Sequence, residues 1–372
     1  MTDVVVIGGG VIGAATAFRL AQAGARVTLV EAGRLAGGTS GSSFAWVNAS
    51  DKPPLAYHLL NVAGMGDHLL LQHECGVAPW LHLDGNIEWA TGEAATAALV
   101  AKTARLRGWG YAAEWLTPAE LRAIEPDIAV PGEVERVVFY PTEGYVDVPA
   151  LVGALTTRAE AAGATIRTGF PVAAITRAGG RVTGIVSAAG ERIAADAVVS
   201  CTGRWSAEIA ALADVHLPMA NTVGLLAVTG AAPVSLRAII TTAGVNIRPD
   251  GAGRLRLQAT EFDTTVMPDT PTVPIPPGAH TALERATAIL PRLAGVPLAT
   301  ALIGVRAIPD DGHPTVGPVP GVEGLYLVAT HSGVTMGPLL GRLVARELLT
   351  GEADARLAPF RPARLATPLV TV

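Results

Sequence analysis

The segment Gly8-Gly9-Gly10-Val11-Ile12-Gly13 sets glycines at G-x-G-x-x-G spacing, between an apolar run and an apolar helical pattern. In such a turn Gly8 permits the tight bend, Gly10 lets the backbone approach a pyrophosphate, and Gly13 lets the helix pack close to the strand. The N–H groups from Val11 and Ile12 onward, at the positive end of the helix dipole, then hold the phosphates. Glu31 follows Gly10 by 21 residues, with Ala32 beside it, where a carboxylate can accept hydrogen bonds from an adenosine ribose. These residues are expected to bind a dinucleotide. A nicotinamide enzyme continues directly with further βα units, whereas Arg34 to Ser50 is rich in Gly, Ser and Thr. A disulfide reductase is excluded, since the two cysteines, Cys75 and Cys201, form no Cys-x-x-Cys.

The elements that must position these groups are legible nearby. Asp3–Ile7 reads as a buried strand, Val11–Ala23 as an apolar helix closed by Gly24, and Arg26–Val30 as a second strand. Strand, glycine turn, helix and strand make a βαβ unit, and hence a parallel sheet with a right-handed crossover. A second helix is expected over Pro149–Ala162, ended by Gly163. An antiparallel meander follows at Phe170–Ile175, Arg181–Ser187 and Arg192–Ala194, then a buried strand at Ala197–Ser200. Leu325–Ala329 is another strand, and Met336–Leu349 a helix capped by Gly351. Residues 85–140 carry helical signals, and residues 216–302 carry strands, including an Asn246–Leu257 hairpin turning at Asp250-Gly251. From Glu352 onward the chain reads as a surface extension.

Composition sets the class. Half of the 372 residues are hydrophobic and 16% are charged, which supports a large core and excludes bulk disorder. Lys+Arg of 27 against Asp+Glu of 32 gives a net charge of −5 with no basic block, so nucleic acid is not an expected partner. The longest uncharged stretch, Val215–Leu236, is interrupted by Pro218, Asn221, Gly224 and Pro233, so no membrane span is expected. No basic region precedes Val4, and the expected location is cytoplasmic.

Beyond the dinucleotide unit, the chain resembles the FAD-dependent D-amino acid oxidase superfamily, close to glycine oxidase and sarcosine oxidase. The resemblance is carried by Gly8–Glu31, Gly38-Thr39-Ser40-Gly41-Ser42-Ser43, Glu143-Gly144-Tyr145-Val146-Asp147 and Val198–Trp205. It continues through Gly304-Val305-Arg306, Asp310-Asp311-Gly312-His313-Pro314 and Thr330–Gly341, in the family's order over nearly the whole chain. It implies an α/β fold: a Rossmann-like FAD-binding domain (1–84, 141–215 and 303–372) with a second, discontinuous α+β substrate domain (85–140 and 216–302). Thr39, Ser40, Ser42 and Ser43 match the loop along the flavin ring and diphosphate, and Val172 a position whose backbone meets the adenine. Thr202-Gly203 matches a close approach to the diphosphate with Trp205 packed behind it. Gly333, Val334, Thr335 and Met336 match the helix start beside the flavin pyrimidine, where a helix N-terminus stabilises negative charge on the reduced ring. Arg306 matches the arginine that pairs with the substrate carboxylate, and His331 a second site-facing position; His313 resembles a variable one.

The resemblance implies FAD-dependent oxidation of an amino acid or related primary or secondary amine to an imine, by hydride transfer to flavin N5. Oxygen is the expected acceptor. The alternatives are a dehydrogenase of the same architecture that passes electrons to a carrier or quinone, and a partner-dependent flavoprotein subunit. An aromatic hydroxylase is disfavoured, because Thr330-His331-Ser332-Gly333 replaces the Gly-Asp signature of that class. Three departures stand out. Asn246 occupies the place of glycine oxidase's substrate-covering tyrosine, and Thr335 that of sarcosine oxidase's oxygen-activating lysine. Ile303 stands where a cysteine tethers flavin in monomeric sarcosine oxidase, so FAD is expected to be non-covalent.

Overall fold

A computed structural model describes residues 1–76 and 79–369. Asp3–Ile7 lies inside a six-stranded sheet, flanked in parallel by Arg26–Val30 and Ala197–Ser200. The sheet continues through Thr165–Arg167 beyond Arg26–Val30, and through Leu325–Ala329 beyond Ala197–Ser200. Thr315–Pro318 closes that edge in antiparallel sense. The near-continuous apolar residues of these strands fit a sheet covered on both faces. One cover is the Val11–Gln22 helix with the helices Val148–Ala161 and Gly333–Thr350; the other includes the antiparallel meander Val172–Ala178, Arg181–Ser187 and Arg192–Ala194.

A second, eight-stranded sheet draws its strands from two separated stretches of chain. Asn86–Glu88, Glu114–Leu116 and Val137–Tyr140 form one end, and Thr222–Thr229, Ile239–Thr241, Asn246–Pro249, Leu255–Gln258 and Leu298–Arg306 the rest. Ile239–Thr241 joins the two groups by parallel pairing with Asn86–Glu88. The boundary placed between 302 and 303 falls inside the Leu298–Arg306 strand. The expected hairpin is present, with Asn246 opposite Gln258 and Asp250 N–H bonded to Arg254 O.

Several local readings need correction. The longest helix, Leu55–Cys75, is absent from the sequence reading because its buried face mixes Tyr57, His58, Asn61, Asp67 and His68 with apolar residues. The helix at Val148–Ala161 begins one residue before the expected start, since Asp147 caps it by accepting from Ala150 N–H. The last long helix starts at Gly333, three residues before Met336. Residues 85–140 are not simply helical, since three strands accompany the helices Glu93–Gly108 and Pro118–Ile124. The stretch after Glu352 is not a surface extension: Leu357 and Phe360 are buried and Thr367–Pro368 pairs with Val215–His216. Two core side chains in a short 3₁₀ segment make no periodic signal, and the last three residues of that stretch lie outside the described ones.

Candidate active site

The strand-to-helix turn is held by sterics. Gly8 has φ +107°, and a Cβ there would sit 2.6 Å from Cys201 O. A Cβ on Gly13 would lie 1.9 Å from Gly8 O, so only glycine lets the helix pack this close to the strand. The Val11–Gln22 helix begins at Gly10 without a side-chain cap from that residue; Ser40 Oγ accepts from Val11 N–H at 3.1 Å instead. Glu31 accepts from Gly9 N–H at 2.7 Å and Gly33 N–H at 2.8 Å. Both carboxylate oxygens are thereby oriented and each keeps a lone pair free.

One cavity of about 1120 Å³ extends from this turn to Arg306. That exceeds the roughly 300–1,000 Å³ of a site for a drug-sized ligand, and leaves room for an extended cofactor with a substrate beyond it. Gly8, Gly10, Val11, Ile12, Glu31 and Ala32 line one end, with Val172, Thr202, Gly203 and Trp205 around it. The Arg204 guanidinium lies 4.1 Å over the Trp205 ring and steadies it. Thr39, Ser40, Ser42 and Ser43 line the middle. Thr39 donates to Val305 O, which ties this loop to the strand carrying Arg306. From the second sheet, Arg256 Nη1 donates to Ser43 O at 2.6 Å and the buried Arg248 donates through Nε to Phe44 O at 2.5 Å.

Gly333, Val334 and Thr335 line the cavity where the last long helix begins without a side-chain N-cap bond. Its free N–H groups suit a negatively charged ligand edge. Thr335 is anchored, since its Oγ1 donates to Trp46 O at 3.1 Å and accepts from Asn48 N–H at 3.3 Å. Tyr57 Oη and Ser332 Oγ are 2.6 Å apart, and His68 Nε2–H donates to Val334 O at 2.8 Å. Complete burial pulls the His68 pKa down to about 4, so its ring is neutral at pH 7.

At the far end Arg306, His331 and Asn246 line the cavity together with Gly224, Asp263 and Lys52. The Arg306 guanidinium lies across the neighbouring strand, where a Cβ on Gly224 would meet Nη2 at 2.7 Å. Nη1 donates to Val223 O at 2.7 Å and Nη2 to Asp263 Oδ2 at 2.7 Å. The other Asp263 oxygen accepts from Leu225 N–H at 2.9 Å. The exposed His331 side chain lines the cavity, and desolvation by the cavity wall, reinforced by Lys52 and Arg306, pulls its pKa down to about 4. It offers a neutral imidazole, a hydrogen-bonding group rather than a cation. Lys52 is likewise lowered by desolvation, against the opposing pull of Asp51 and Glu143.

Two residues assigned to the cofactor from sequence do not line the cavity. Gly13 acts through packing alone, and Met336 is fully buried in the core with its N–H bonded to Ser332 O. A helix start displaced to Gly333 turns the fourth residue away from the opening. Sequence reasoning also missed Asp263 and Lys52, which stand in no recognisable spacing, and the role of Glu143. Buried Glu143 accepts from Trp46 Nε1–H at 3.1 Å, Tyr111 O–H at 2.8 Å and Ser50 N–H at 3.0 Å. It thereby fixes the segment that carries Trp46 and Asn48 at the cavity wall. Among the described residues no helix is long and apolar enough to cross a membrane, and no group of three or more metal-ligating side chains occurs.

Comparison with known proteins follows the same outline. The family model described as DAO, FAD dependent oxidoreductase, matches residues 3–347. A glycine oxidase of Geobacillus kaustophilus is 29% identical over 372 residues, covering 96% of each chain. A glycine oxidase of Pseudomonas aeruginosa is 30% identical over 385 residues, covering 97% of this chain and 98% of that one. The crystal structure of glycine oxidase from Geobacillus kaustophilus superposes with a TM-score of 0.85 at 28% identity, over 97% of this chain and 98% of that one.

Proposed function

Since the chain belongs to the DAO family of FAD-dependent oxidoreductases, we propose that the long cavity holds FAD at the Gly8–Gly13 end and an amino acid at the Arg306 end. The protein is an enzyme that oxidises an amine or amino acid with FAD as cofactor. The observation that carries the residue assignment is the continuity of the cavity from the start of the Val11–Gln22 helix, past the open N-terminus of Gly333–Thr350, to a guanidinium.

The residues present fit the cofactor. Glu31 keeps free lone pairs where a ribose would lie, and the two helix starts and the Thr39–Ser43 loop supply donors between them. Bound FAD supplies the acceptor of a hydride from the substrate carbon next to nitrogen. The remaining work belongs to the chain. Arg306 has N–H groups beyond those bound to Val223 and Asp263, and these draw the substrate carboxylate to the far end of the cavity. Neutral His331 hydrogen-bonds the substrate, and Asn246 flanks it in place of a larger side chain. The lone pair of the neutral amine forms the C=N bond as the carbon gives up hydride, and water adds to the resulting iminium and expels the nitrogen, leaving a carbonyl product and an ammonium or alkylammonium ion. No dedicated base is assigned; an amine that arrives neutral needs none. Residues 1–84, 141–215 and 303–372 serve the cofactor and the remainder the substrate, with the Arg306 strand shared between them. FAD is held without a covalent bond, Ile303 having no nucleophile, and oxygen is the acceptor.

The test is anaerobic addition of glycine and of D-, L- and N-methyl amino acids to the yellow holoenzyme. Loss of the visible flavin absorption with at least one of them, and hydrogen peroxide release in air, are expected. Bleaching without peroxide in air transfers the reading to a carrier-linked dehydrogenase. No bleaching with any amino acid ends the amino-acid assignment.

A further inference from the structure

The guanidinium assigned to the substrate carboxylate already holds a carboxylate of the chain. Asp263 sits in the 3₁₀ turn Thr260–Thr265 that follows the strand Leu255–Gln258. Its Oδ2 is 2.7 Å from Arg306 Nη2, and its Oδ1 takes Leu225 N–H at 2.9 Å. Its side chain is 12% exposed and that of Arg306 21%, and both line the cavity. The aspartate is thus fixed at both oxygens, unlike a mobile surface pair, and it faces the space a ligand must enter. A second carboxylate at Arg306 meets a guanidinium with one hydrogen bond already committed on each arm and a like charge beside it. The two anions compete for one cation. A tethered competitor acts at a high effective concentration, so a ligand that offers only a carboxylate binds weakly.

We propose that Asp263 is a specificity-determining residue, an internal carboxylate that competes with the ligand's carboxylate for Arg306 and raises the concentration of any simple monocarboxylate needed to fill the site. This rests on the assignment of Arg306 above. The class of substrate it favours brings further binding groups alongside its carboxylate, so that displacing Asp263 is offset elsewhere in the cavity.

The experiment titrates holoenzyme with acetate and follows the perturbation of the flavin spectrum, a readout independent of turnover. Asp263→Asn keeps an oxygen for Leu225 N–H and removes the negative charge. Its acetate Kd is expected to fall roughly 10- to 100-fold, the scale of one charge-assisted hydrogen bond. Asp263→Ser, which keeps a smaller acceptor, is expected to shift it in the same direction. FAD content and melting temperature near the parent's verify that the fold is intact in either variant. Arg306→Ala in the Asp263→Asn background is expected to abolish the gain. If Arg306→Ala lowers acetate affinity in the parent while neither Asp263 variant tightens it, the competition is overturned and Arg306 stands. If Arg306→Ala leaves acetate binding unchanged in both backgrounds, the carboxylate role of Arg306 falls and the inference with it.

Discussion

Arg306 meets its surroundings through a planar fork, so its two simplest replacements separate charge from geometry. Arg306→Lys keeps the charge and loses the fork; Arg306→Ala loses both. Steady-state kinetics should show kcat/KM falling by roughly 10- to 1,000-fold, more for Ala than for Lys, on carboxylate substrates and little on plain amines, with FAD still bound. Parent-like activity of Arg306→Ala on the best substrate refutes the assignment. Histidine protonation gives a second prediction. His68 and His331 both have native pKa values near 4, below the ordinary 6.5. Between those values the unfolded chain binds more protons than the native one, so stability falls as pH drops from about 6.5 toward 4. For the fully buried His68 the difference is on the order of 3 kcal/mol. Melting temperatures of parent and His68→Gln across that range check it: the variant should lose part of the acid-side slope. An unchanged slope assigns the acid sensitivity to other groups.

Elements meet at a few positions where any side chain is an obstacle, and these separate fold from cofactor. A Cβ on Gly10 approaches only Ser40 Oγ, at 3.0 Å, a hydroxyl able to rotate away. Gly10→Val should therefore fold but purify with little FAD, as measured by the absorbance ratio of flavin to protein. Normal FAD occupancy makes the glycines a turn and nothing more. Gly13→Ala meets the fixed backbone of Gly8 and should lose several degrees of melting temperature or fail to fold. The crossing of Leu55–Cys75 over the last long helix obeys the same logic. A Cβ on Gly64 would lie 2.6 Å from Thr335 O, at the helix start beside the cavity. Gly64→Ala should loosen FAD binding as it displaces that start, read as a raised Kd for FAD on reconstitution. Unaltered affinity shows the start to be insulated from its neighbour.

Across the whole molecule, the sequence is most transparent where local chemistry dictates local structure. The βαβ unit, the meander and the Asn246–Leu257 hairpin need only apolar runs and glycine turns, and the turn residues Gly8, Gly10, Val11 and Ile12 line the cavity as the spacing requires. What stayed hidden is non-local. Asp263 meets Arg306 across 43 positions, and Glu143 receives Ser50 N–H across 93. Leu55–Cys75 escaped because polar side chains face its core, some of them paired far along the chain, as Asp67 is with Arg342 at 2.7 Å. Glu143→Ala leaves Trp46, Tyr111 and Ser50 donors buried and unpaired. Each such group costs about 1–3 kcal/mol, so chemical denaturation should show a loss of at least that size. A smaller loss means that water replaces the carboxylate. The order of the six-stranded sheet has a further consequence, for synthesis on the ribosome. The strand Asp3–Ile7 ends up between Arg26–Val30, available soon after it, and Ala197–Ser200, which emerges some 190 residues later. The helix Val11–Gln22 that follows it packs on Gly333–Thr350, which emerges more than 300 residues later. Until then the nascent chain carries an open sheet edge and an uncovered apolar helix, the features that recruit chaperones and promote association between unfinished chains.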